Sequence, residues 1–329
     1  MSVALGLVGF GTMGERLLRA ALAHDPSVIR PVAAWDPSPA AAARLAAIAP
    51  GLPMLDSAAA VIAACDVLYI ASPPSSHIAH AEAAFAAGKA AFLEKPLASD
   101  LVEARRFVAA AEARGARAAV NFPMASSPAV AQLSAWRAGI GAPRELSIRV
   151  EFARWPRAWQ QAAAGWLAKP AEGGFTREVV SHFLFLTRRQ LGPLTLGECY
   201  ADYPPGDVTE TEIFAKLTAG GLTVTLSGDV HESNPEDGNE WCLTCEHGAI
   251  RLRDWSIAEK QAPDGSWATA PDALPNEKMR PMVLKGQLDK LAALTRGETT
   301  NLATLREALE VQEVVEEIVW SEARAIPGS

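Results

Sequence analysis

Cysteine is scarce in this sequence, and its scarcity limits what the protein can be. The 329 residues include only four cysteines, which is few for a disulfide-stabilised secreted chain and favours a reducing cytoplasm. Cys242 and Cys245 form a C-x-x-C pair, but no second pair exists to complete a zinc site. Residues three apart on the predicted strand 241–246 also point to opposite faces. We therefore expect no metal site.

Basic runs and long apolar runs are also missing. The formal net charge is −8 and no Lys/Arg cluster is present, which argues against a nucleic-acid partner. No apolar stretch is long enough to cross a bilayer without a charge or a turn, and the apolar N-terminus lacks the basic region of a signal peptide. The composition is otherwise that of a globular protein long enough for two domains. We expect a cytoplasmic protein without a membrane partner.

A glycine-rich turn near the N-terminus is the first feature with chemical meaning. Residues 3–8 form an apolar run typical of a buried strand, and a helical pattern follows the turn. Gly9 permits the tight turn, Gly11 lets a pyrophosphate approach the backbone, and Gly14 lets the helix pack closely on the strand. The predicted dinucleotide contacts are Gly9, Phe10, Gly11, Thr12, Met13 and Gly14. The alternative is a glycine turn that only packs.

Asp36 ends the second predicted strand, about twenty residues after the turn. An acidic side chain at this spacing accepts a hydrogen bond from a ribose hydroxyl, and it disfavours a 2′-phosphate of like charge. The pattern therefore predicts NAD as the cofactor. The alternative role for Asp36 is as an N-cap of the next helix. Arg44 lies further along that helix and leaves some use of NADP open.

Strand and helix patterns alternate up to residue 121. The predicted strands are 3–8, 32–35, 66–71, 90–93 and 116–120, and the predicted helices are 12–24, 38–48, 57–64, 77–87 and 100–114. Such alternation predicts a doubly wound parallel sheet, so residues 1–121 are interpreted as an NAD(P)-binding Rossmann domain. Ligands bind beyond the carboxyl ends of such strands. The side chains expected to border the cofactor there are Ser72, Pro73, His77, Glu94, Lys95 and Asn121.

Residues 122–329 show a different pattern. Strand-like segments at 145–152, 194–201, 211–218, 222–230, 241–246 and 249–253 precede two helical segments at 281–296 and 303–324. Gly220-Gly221 marks a hairpin. This pattern predicts an α/β domain with an open, mostly antiparallel sheet that binds substrate and mediates oligomerisation. Because uncovered sheet faces usually mark interfaces, we expect a homodimer or homotetramer.

Lys95 and His182 are the candidate catalytic residues. Lys95 follows a strand that ends at the predicted cofactor cleft, where an ammonium can donate to a substrate oxygen. His182 lies one helical turn after Glu178, so the carboxylate can orient the imidazole while its other nitrogen exchanges a proton with a substrate hydroxyl. The alternatives are a solvated surface lysine and a histidine packed in a core.

Taken together, four motifs resemble the Gfo/Idh/MocA family, which includes glucose–fructose oxidoreductase and inositol dehydrogenase. They are the glycine turn, Ser72-Pro73 with His77, Glu94-Lys95-Pro96, and Gly173-Gly174 with Glu178 and His182. The similarity runs along essentially the whole chain. It implies a Rossmann domain followed by an open-sheet α/β domain, a nicotinamide cofactor and a carbohydrate-like substrate. The family's lysine matches Lys95, and its histidine matches His182.

The chain departs from the family pattern at four positions. Glu178 stands where the family usually has Asp, Val180 where it has Gly, Pro74 where Asn is frequent, and Met124 where Arg is frequent. The implied activity is hydride transfer between a nicotinamide and a hydroxyl or keto carbon of a sugar, sugar acid or cyclitol. Which of the two candidates is the principal base stays open. The alternative function is a non-catalytic dinucleotide-binding regulator or partner protein of the same fold.

An aromatic and basic segment precedes the Gly-Gly motif. Trp155, Trp159 and Trp166 can stack on a sugar ring, and Arg177 is a weak candidate for binding an anionic substrate group. The alternative is that these tryptophans form core or dimer contacts. The sequence does not identify the substrate.

Overall fold

In the computed structural model, residues 2–321 are described, apart from the side chains of Gln161 and Ala162. The last residues of the predicted helix 303–324 lie outside this range. The chain forms two compact units. The first comprises residues 1–126 and 281–309, and the second comprises residues 127–280 and 310 onward.

A five-stranded parallel sheet forms the centre of the first unit. Its strands are β1 (Val3–Val8), β2 (Ile29–Trp35), β3 (Val67–Ile70), β4 (Ala90–Leu93) and β5 (Ala118–Val120). The helices between them are α1 (Thr12–Leu22), α2 (Pro39–Ile48), α3 (Ala58–Ala64), α4 (His77–Ala86) and α5 (Leu101–Ala113). The strand order β2-β1-β3-β4-β5 is that of a doubly wound fold, as predicted. All residues of β3 and β4 are buried, as expected for strands covered on both faces.

The first unit also contains residues from the end of the chain. Leu284, Leu288 and Leu291 pack in its hydrophobic core, and Ala303 forms a bridge with Val120 beside β5. The sequence-based boundary after residue 121 assigned these residues to the second domain. They pack here because their apolar side chains complete the core under the parallel sheet, a long-range contact that local pattern does not reveal.

The second unit contains an eight-stranded sheet. Its elements are α6 (Pro128–Arg137), β6 (Pro143–Phe152), α7 (Ala164–Leu167), α8 (Ser181–Leu191), β7 (Leu194–Asp202), β8 (Glu212–Ala219), β9 (Leu222–Val230), β10 (Gly238–Cys245), β11 (Gly248–Arg253), β12 (Ile257–Gln261) and β13 (Trp267–Thr269). The order is β13-β12-β11-β10-β6-β9-β8-β7, with β6 and β9 parallel and the other pairs antiparallel. The predicted mostly antiparallel sheet is confirmed. The short strands β12 and β13, at one end of this order, were not predicted.

Helix α8 covers one face of this sheet. Along β6, the buried residues Leu146, Ile148 and Val150 alternate with exposed ones, so one face is apolar and the other is polar. The indole of Trp241 on β10 donates from Nε1 to Thr187 Oγ1 on α8 at 2.9 Å. This contact fixes the position of α8 over the apolar face.

Two helices close the chain. They are α9 (Asn276–Thr295) and α10 (Leu305–Val319). Helix α9 begins at Asn276, before the predicted start at residue 281. Pro281 therefore lies inside the helix rather than at the N-terminal position that proline usually favours. No helix of the described residues is long and apolar enough to cross a membrane.

Candidate active site

The glycine turn connects β1 to α1. Gly9 has φ +87°, and a Cβ there would lie 2.4 Å from the backbone of Ala71 and Ser72. A Cβ on Gly14 would lie 2.3 Å from Gly9 O. The protein's own packing therefore requires glycine at both positions. A Cβ on Gly11 would meet nothing within 4 Å, so this glycine is not required by packing.

Asp36 and Arg44 both hold the backbone of Phe10, whose ring is buried in the core. The Phe10 N–H donates to Asp36 Oδ2 at 2.6 Å, and Arg44 donates to Phe10 O at 2.8 Å. The other Asp36 oxygen accepts from Ser38 N–H at 2.8 Å. Each carboxylate oxygen keeps a second lone pair. Asp36 can therefore fix the turn and still accept from a ribose hydroxyl.

His77 holds two loops together rather than facing a ligand. Its ring is buried, with Nε2 at 2.7 Å from Ser72 O and Nδ1 at 2.9 Å from Pro96 O. Burial lowers the pKa of His77, and the two carbonyl contacts oppose that shift. Because both ring nitrogens face carbonyl oxygens of these loops, the ring lies between the loops after β3 and β4 rather than towards the predicted cofactor.

Glu94 and Asn121 are also buried in a network. Glu94 accepts hydrogen bonds from the hydroxyl of Tyr69 and from Asn121 Nδ2, the latter at 2.5 Å. Asn121 Oδ1 in turn accepts from Gln287 Nε2 on α9 at 2.7 Å. Burial and the neighbouring Glu94 charge raise the pKa of Tyr69 well above its usual value, so it donates as a neutral phenol. These side chains fix the loop after β4, whereas the sequence placed two of them at the cofactor.

Lys95 is half-exposed within this fixed loop. Glu94 is anchored on one side of it, and Pro96 is held by His77 on the other. A lysine whose neighbours are anchored loses less conformational freedom when it binds a substrate oxygen. The arrangement suits the catalytic role that the sequence predicted.

The Gly-Gly motif of the second unit precedes a π-helical turn, Thr176–Val180, that leads into α8. Gly174 has φ +104°, and a Cβ there would lie 2.3 Å from Glu210 Oε2. Glu210 Oε1 accepts from Thr176 N–H at 2.8 Å and from Thr176 Oγ1 at 2.7 Å. Burial raises the pKa of Glu210. The glycines admit this carboxyl group, which anchors the start of the turn, and π-helical turns are frequent at functional sites.

Arg177 is a structural residue in this fold. Its side chain is 4% exposed and pairs with both carboxylate oxygens of Glu316 at 2.7 Å. It also donates to the carbonyl oxygens of Pro170 and Gly173 at 2.7 and 2.8 Å. A guanidinium with this many internal acceptors ties the Gly-Gly segment to α10. It does not serve as the substrate-anion contact suggested by the sequence.

Glu178 and His182 are half-exposed while most residues around them in the π-helical turn and α8 are buried. The His182 ring packs edge-on against Trp255, with centroids 5.6 Å apart. Trp255 also contacts Phe183, at 5.2 Å. The two candidate residues thus share the accessible side of a rigid, packed segment. Trp255 was missed by the sequence analysis because only the tertiary fold brings the β11–β12 turn to α8.

The three predicted substrate tryptophans differ in their surroundings. Trp155 packs against Phe152 and Phe175 and donates from Nε1 to Leu167 O at 3.2 Å, as a core residue does. Trp159 and Trp166 are 46% and 38% exposed. Trp155 is only partly exposed, so Trp159 and Trp166 present the larger surface on which a sugar ring could stack.

The cysteines have no metal-site geometry in the described part of the chain. Cys242 is half-buried and Cys245 is buried on β10, three residues apart. Burial raises the pKa of Cys242 to about 11, which keeps it a neutral thiol. Within residues 2–321, no group of three His, Cys, Asp or Glu side chains could hold a metal ion.

Comparison with known proteins finds a family match for the first part of the chain. Residues 3–122 match the model of an oxidoreductase family with an NAD-binding Rossmann fold, Gfo/Idh/MocA. The inositol 2-dehydrogenase of Cereibacter sphaeroides is 37% identical over 121 residues, which cover 36% of this chain and 35% of that protein. The match thus spans about a third of the length of the curated relatives. It confirms the resemblance drawn from the motifs.

Solved structures match over nearly the whole chain. An oxidoreductase from Thermotoga maritima has a TM-score of 0.80 at 18% identity, covering 98% of this chain and 97% of that one. An oxidoreductase from Agrobacterium radiobacter, in complex with NAD+, L-tartaric acid and magnesium, has a TM-score of 0.79 at 19% identity, covering 96% and 95%. At such identities the likeness shows the fold. Residues 3–122 are thus similar to the NAD-binding Rossmann domain of the Gfo/Idh/MocA oxidoreductases.

Proposed function

We propose that the protein is an NAD-dependent dehydrogenase that acts on a CH–OH group of a sugar, sugar acid or cyclitol. The observation that carries the proposal is the anchoring of Lys95. A buried network holds Glu94 before it and His77 holds Pro96 after it, at the carboxyl end of β4 in an NAD-binding domain. A regulator that only binds the dinucleotide has no need of a lysine held in this way.

The residues of the first unit fit a dinucleotide. Gly11 is unhindered on the protein side, so a Cβ there would project into open space at the start of α1. That is where a helix N-terminus favours a pyrophosphate. The backbone of the glycine turn would hold the phosphates, and Asp36 would accept from the adenosine ribose. When bound, NAD supplies the acceptor for the hydride.

Lys95 and His182 would handle the proton of the substrate hydroxyl. The Lys95 ammonium donates to the substrate oxygen and stabilises negative charge on it as the C–H bond breaks. His182, backed by Glu178, can take the proton as an imidazole base. The proposal leaves open which of the two is the principal base.

A panel of sugars, sugar acids and cyclitols, followed by NADH absorbance, tests the proposed activity. Turnover of at least one compound class with NAD is expected. The rival proposal is a non-catalytic dinucleotide-binding regulator of the same fold. Tight NADH binding without turnover across the whole panel would favour that rival.

Cofactor choice provides a separate prediction. The wild-type protein is expected to use NAD in preference to NADP, because a 2′-phosphate would face the Asp36 carboxylate. Replacing Asp36 by Asn removes the charge. The ratio of kcat/KM with NAD to kcat/KM with NADP should then fall by roughly tenfold or more. Asp66→Asn is the matched control, since Asp66 accepts from Ala4 N–H at the amino end of the same sheet. A wild-type preference for NADP would contradict the assignment.

We further propose a homodimer or homotetramer in a reducing cytoplasm. The sheet face opposite α8 carries exposed side chains such as Ser147 and Arg149, and broad sheet faces of this kind commonly form interfaces. The four cysteines are free thiols, as a reducing compartment requires. Light scattering measures the mass in solution, and a monomer would contradict the oligomer.

A further inference from the structure

The second unit contains a buried arginine that is fixed in place. The Arg157 side chain is 8% exposed, and its Nε donates to Gln160 Oε1 at 2.9 Å. One terminal nitrogen pairs with Asp237 Oδ2 at 2.8 Å. The rings of Trp155 and Trp159 lie 5.4 and 4.8 Å from the guanidinium carbon. These contacts hold a cation in one orientation and leave part of its hydrogen-bonding edge without a partner among the described side chains.

Asp237 connects this arginine to the surroundings of His182. Its second oxygen lies 3.4 Å from Trp255 Nε1, and the Trp255 ring packs against His182. Trp255 has φ +70°, a left-handed conformation that is costly for a tryptophan. Its N–H donates to Asn239 Oδ1 at 2.8 Å, which holds the residue there. The fold thus stores strain to keep this indole between His182 and Arg157, and such strain clusters at ligand sites.

Asn239 adds a second unused donor. Its side chain is buried, and its Nδ2 atom has no hydrogen-bond partner among the described residues. Asn239 shares the face of β10 with Trp241, whose indole bonds to α8. Its amide therefore lies on the side of the sheet that His182 occupies. Buried polar groups without a partner are rare and point to a ligand or a function.

Arg280 supplies a second cation. It is half-buried and makes no ion pair or hydrogen bond with any described residue. Burial, and next the positive charge of Arg157, lower its pKa, while Asp237 and Glu277 raise it. A desolvated cation near another cation gains stability from an anion. Asp237 and Glu277 together balance the two guanidinium charges, so the group offers N–H donors rather than a surplus charge. Asp237 is 31% exposed, so solvent reaches the group.

We propose that Arg157, Arg280 and Asn239 form a carboxylate subsite beside His182, and that the substrate is a sugar acid. The proposal rests on the proposed dehydrogenase function, whose substrate class it narrows. A guanidinium binds a planar carboxylate through two parallel hydrogen bonds. Because Asp237 and Glu277 already balance the two guanidinium charges, a monoanionic carboxylate suits the group better than a phosphate ester, which carries nearly two negative charges. A neutral sugar or cyclitol would leave these donors unpaired.

Kinetics with matched substrates test the subsite. The pairs are D-glucuronate with D-glucose and D-galacturonate with D-galactose. D-Glucose 6-phosphate tests whether the subsite binds a phosphate ester instead of a carboxylate. Arg280→Gln is expected to lower kcat/KM for the acids roughly 10- to 100-fold, mainly through KM. The neutral sugars should not change. Arg106→Gln, on the exposed side of α5 in the first unit, is the control for losing an arginine. Equal losses for acids and neutral sugars would overturn the subsite.

Binding without turnover separates this proposal from the dehydrogenase function. Calorimetric titration of each compound into the NADH complex of wild type, Arg280→Gln and Arg106→Gln requires no reaction. Uronate binding that Arg280→Gln weakens, with no oxidation of any compound, would overturn the function and keep the subsite. Oxidation of neutral sugars with no Arg280-dependent binding of either uronate would overturn the subsite and keep the dehydrogenase function. Arg280-dependent binding of glucose 6-phosphate in place of the uronates would overturn the carboxylate assignment.

Discussion

Replacing Lys95 by methionine is expected to lower kcat by about 10²- to 10⁴-fold while NADH still binds. Methionine keeps the length and the apolar stem of lysine but cannot donate to the substrate oxygen. The loop itself should stay in place, because its anchors are Glu94 and Pro96 rather than the lysine head group. Turnover of the best substrate from the panel and a fluorescence titration with NADH measure the two quantities.

Lys89→Met is the matched control for this variant. Lys89 precedes β4 and Lys95 follows it, so the two lysines stand at opposite ends of the same strand. Only the carboxyl end borders the ligand in a doubly wound sheet, so the Lys89 variant should keep wild-type turnover. If the Lys95 variant keeps wild-type turnover as well, Lys95 has no part in the mechanism.

Replacing Arg177 by methionine is expected to destabilise the protein by about 3–5 kcal/mol, the usual cost of breaking a buried ion pair from one side. The variant leaves the Glu316 carboxylate, 13% exposed, without its guanidinium. It also removes the donor that the carbonyls of Pro170 and Gly173 share. Urea unfolding followed by tryptophan fluorescence measures the free energy of unfolding.

Arg188→Met is the control for the loss of an arginine in the same unit. Arg188 pairs with Glu310 of α10, but these side chains are 22% and 32% exposed. Water can solvate both groups after the change, so a clearly smaller loss is expected. If the Arg177 variant has wild-type stability and a raised KM for an anionic substrate, Arg177 binds the substrate rather than stabilising the fold.

The parallel sheet was the most predictable part of the fold. The strands Val3–Val8 and Ala90–Leu93 have the predicted bounds, because short apolar runs between glycines and helical patterns have few other interpretations. The strands β12 and β13 were missed, since they are short and carry polar residues. The placement of Leu284, Leu288 and Leu291 in the core of the first unit was also missed, because no local pattern records a partner so distant in the chain.

The motifs predicted the candidate residues, but the contacts of several of these residues in the structure differ from the roles predicted for them. Lys95 and His182 were identified because each lies in a short segment whose neighbours carry the signal. His77, Glu94 and Asn121 were assigned to the cofactor, yet their polar atoms face other loops of the same unit. A position at the carboxyl end of a strand indicates nearness to the ligand, but it does not state which way a side chain points.

The sequence by itself determined the Rossmann domain and the glycine turn, and it predicted the preference for NAD from Asp36 and the candidate catalytic residues Lys95 and His182. These depend on backbone conformation and on residues close together in the chain, which local spacing encodes. Only the tertiary structure decided that Arg177 is buried against Glu316. It also decided that Trp255 contacts both the His182 ring and Asp237, the carboxylate that pairs with Arg157. Burial and charge pairing depend on contacts between distant segments, and those contacts exist only after the chain has folded.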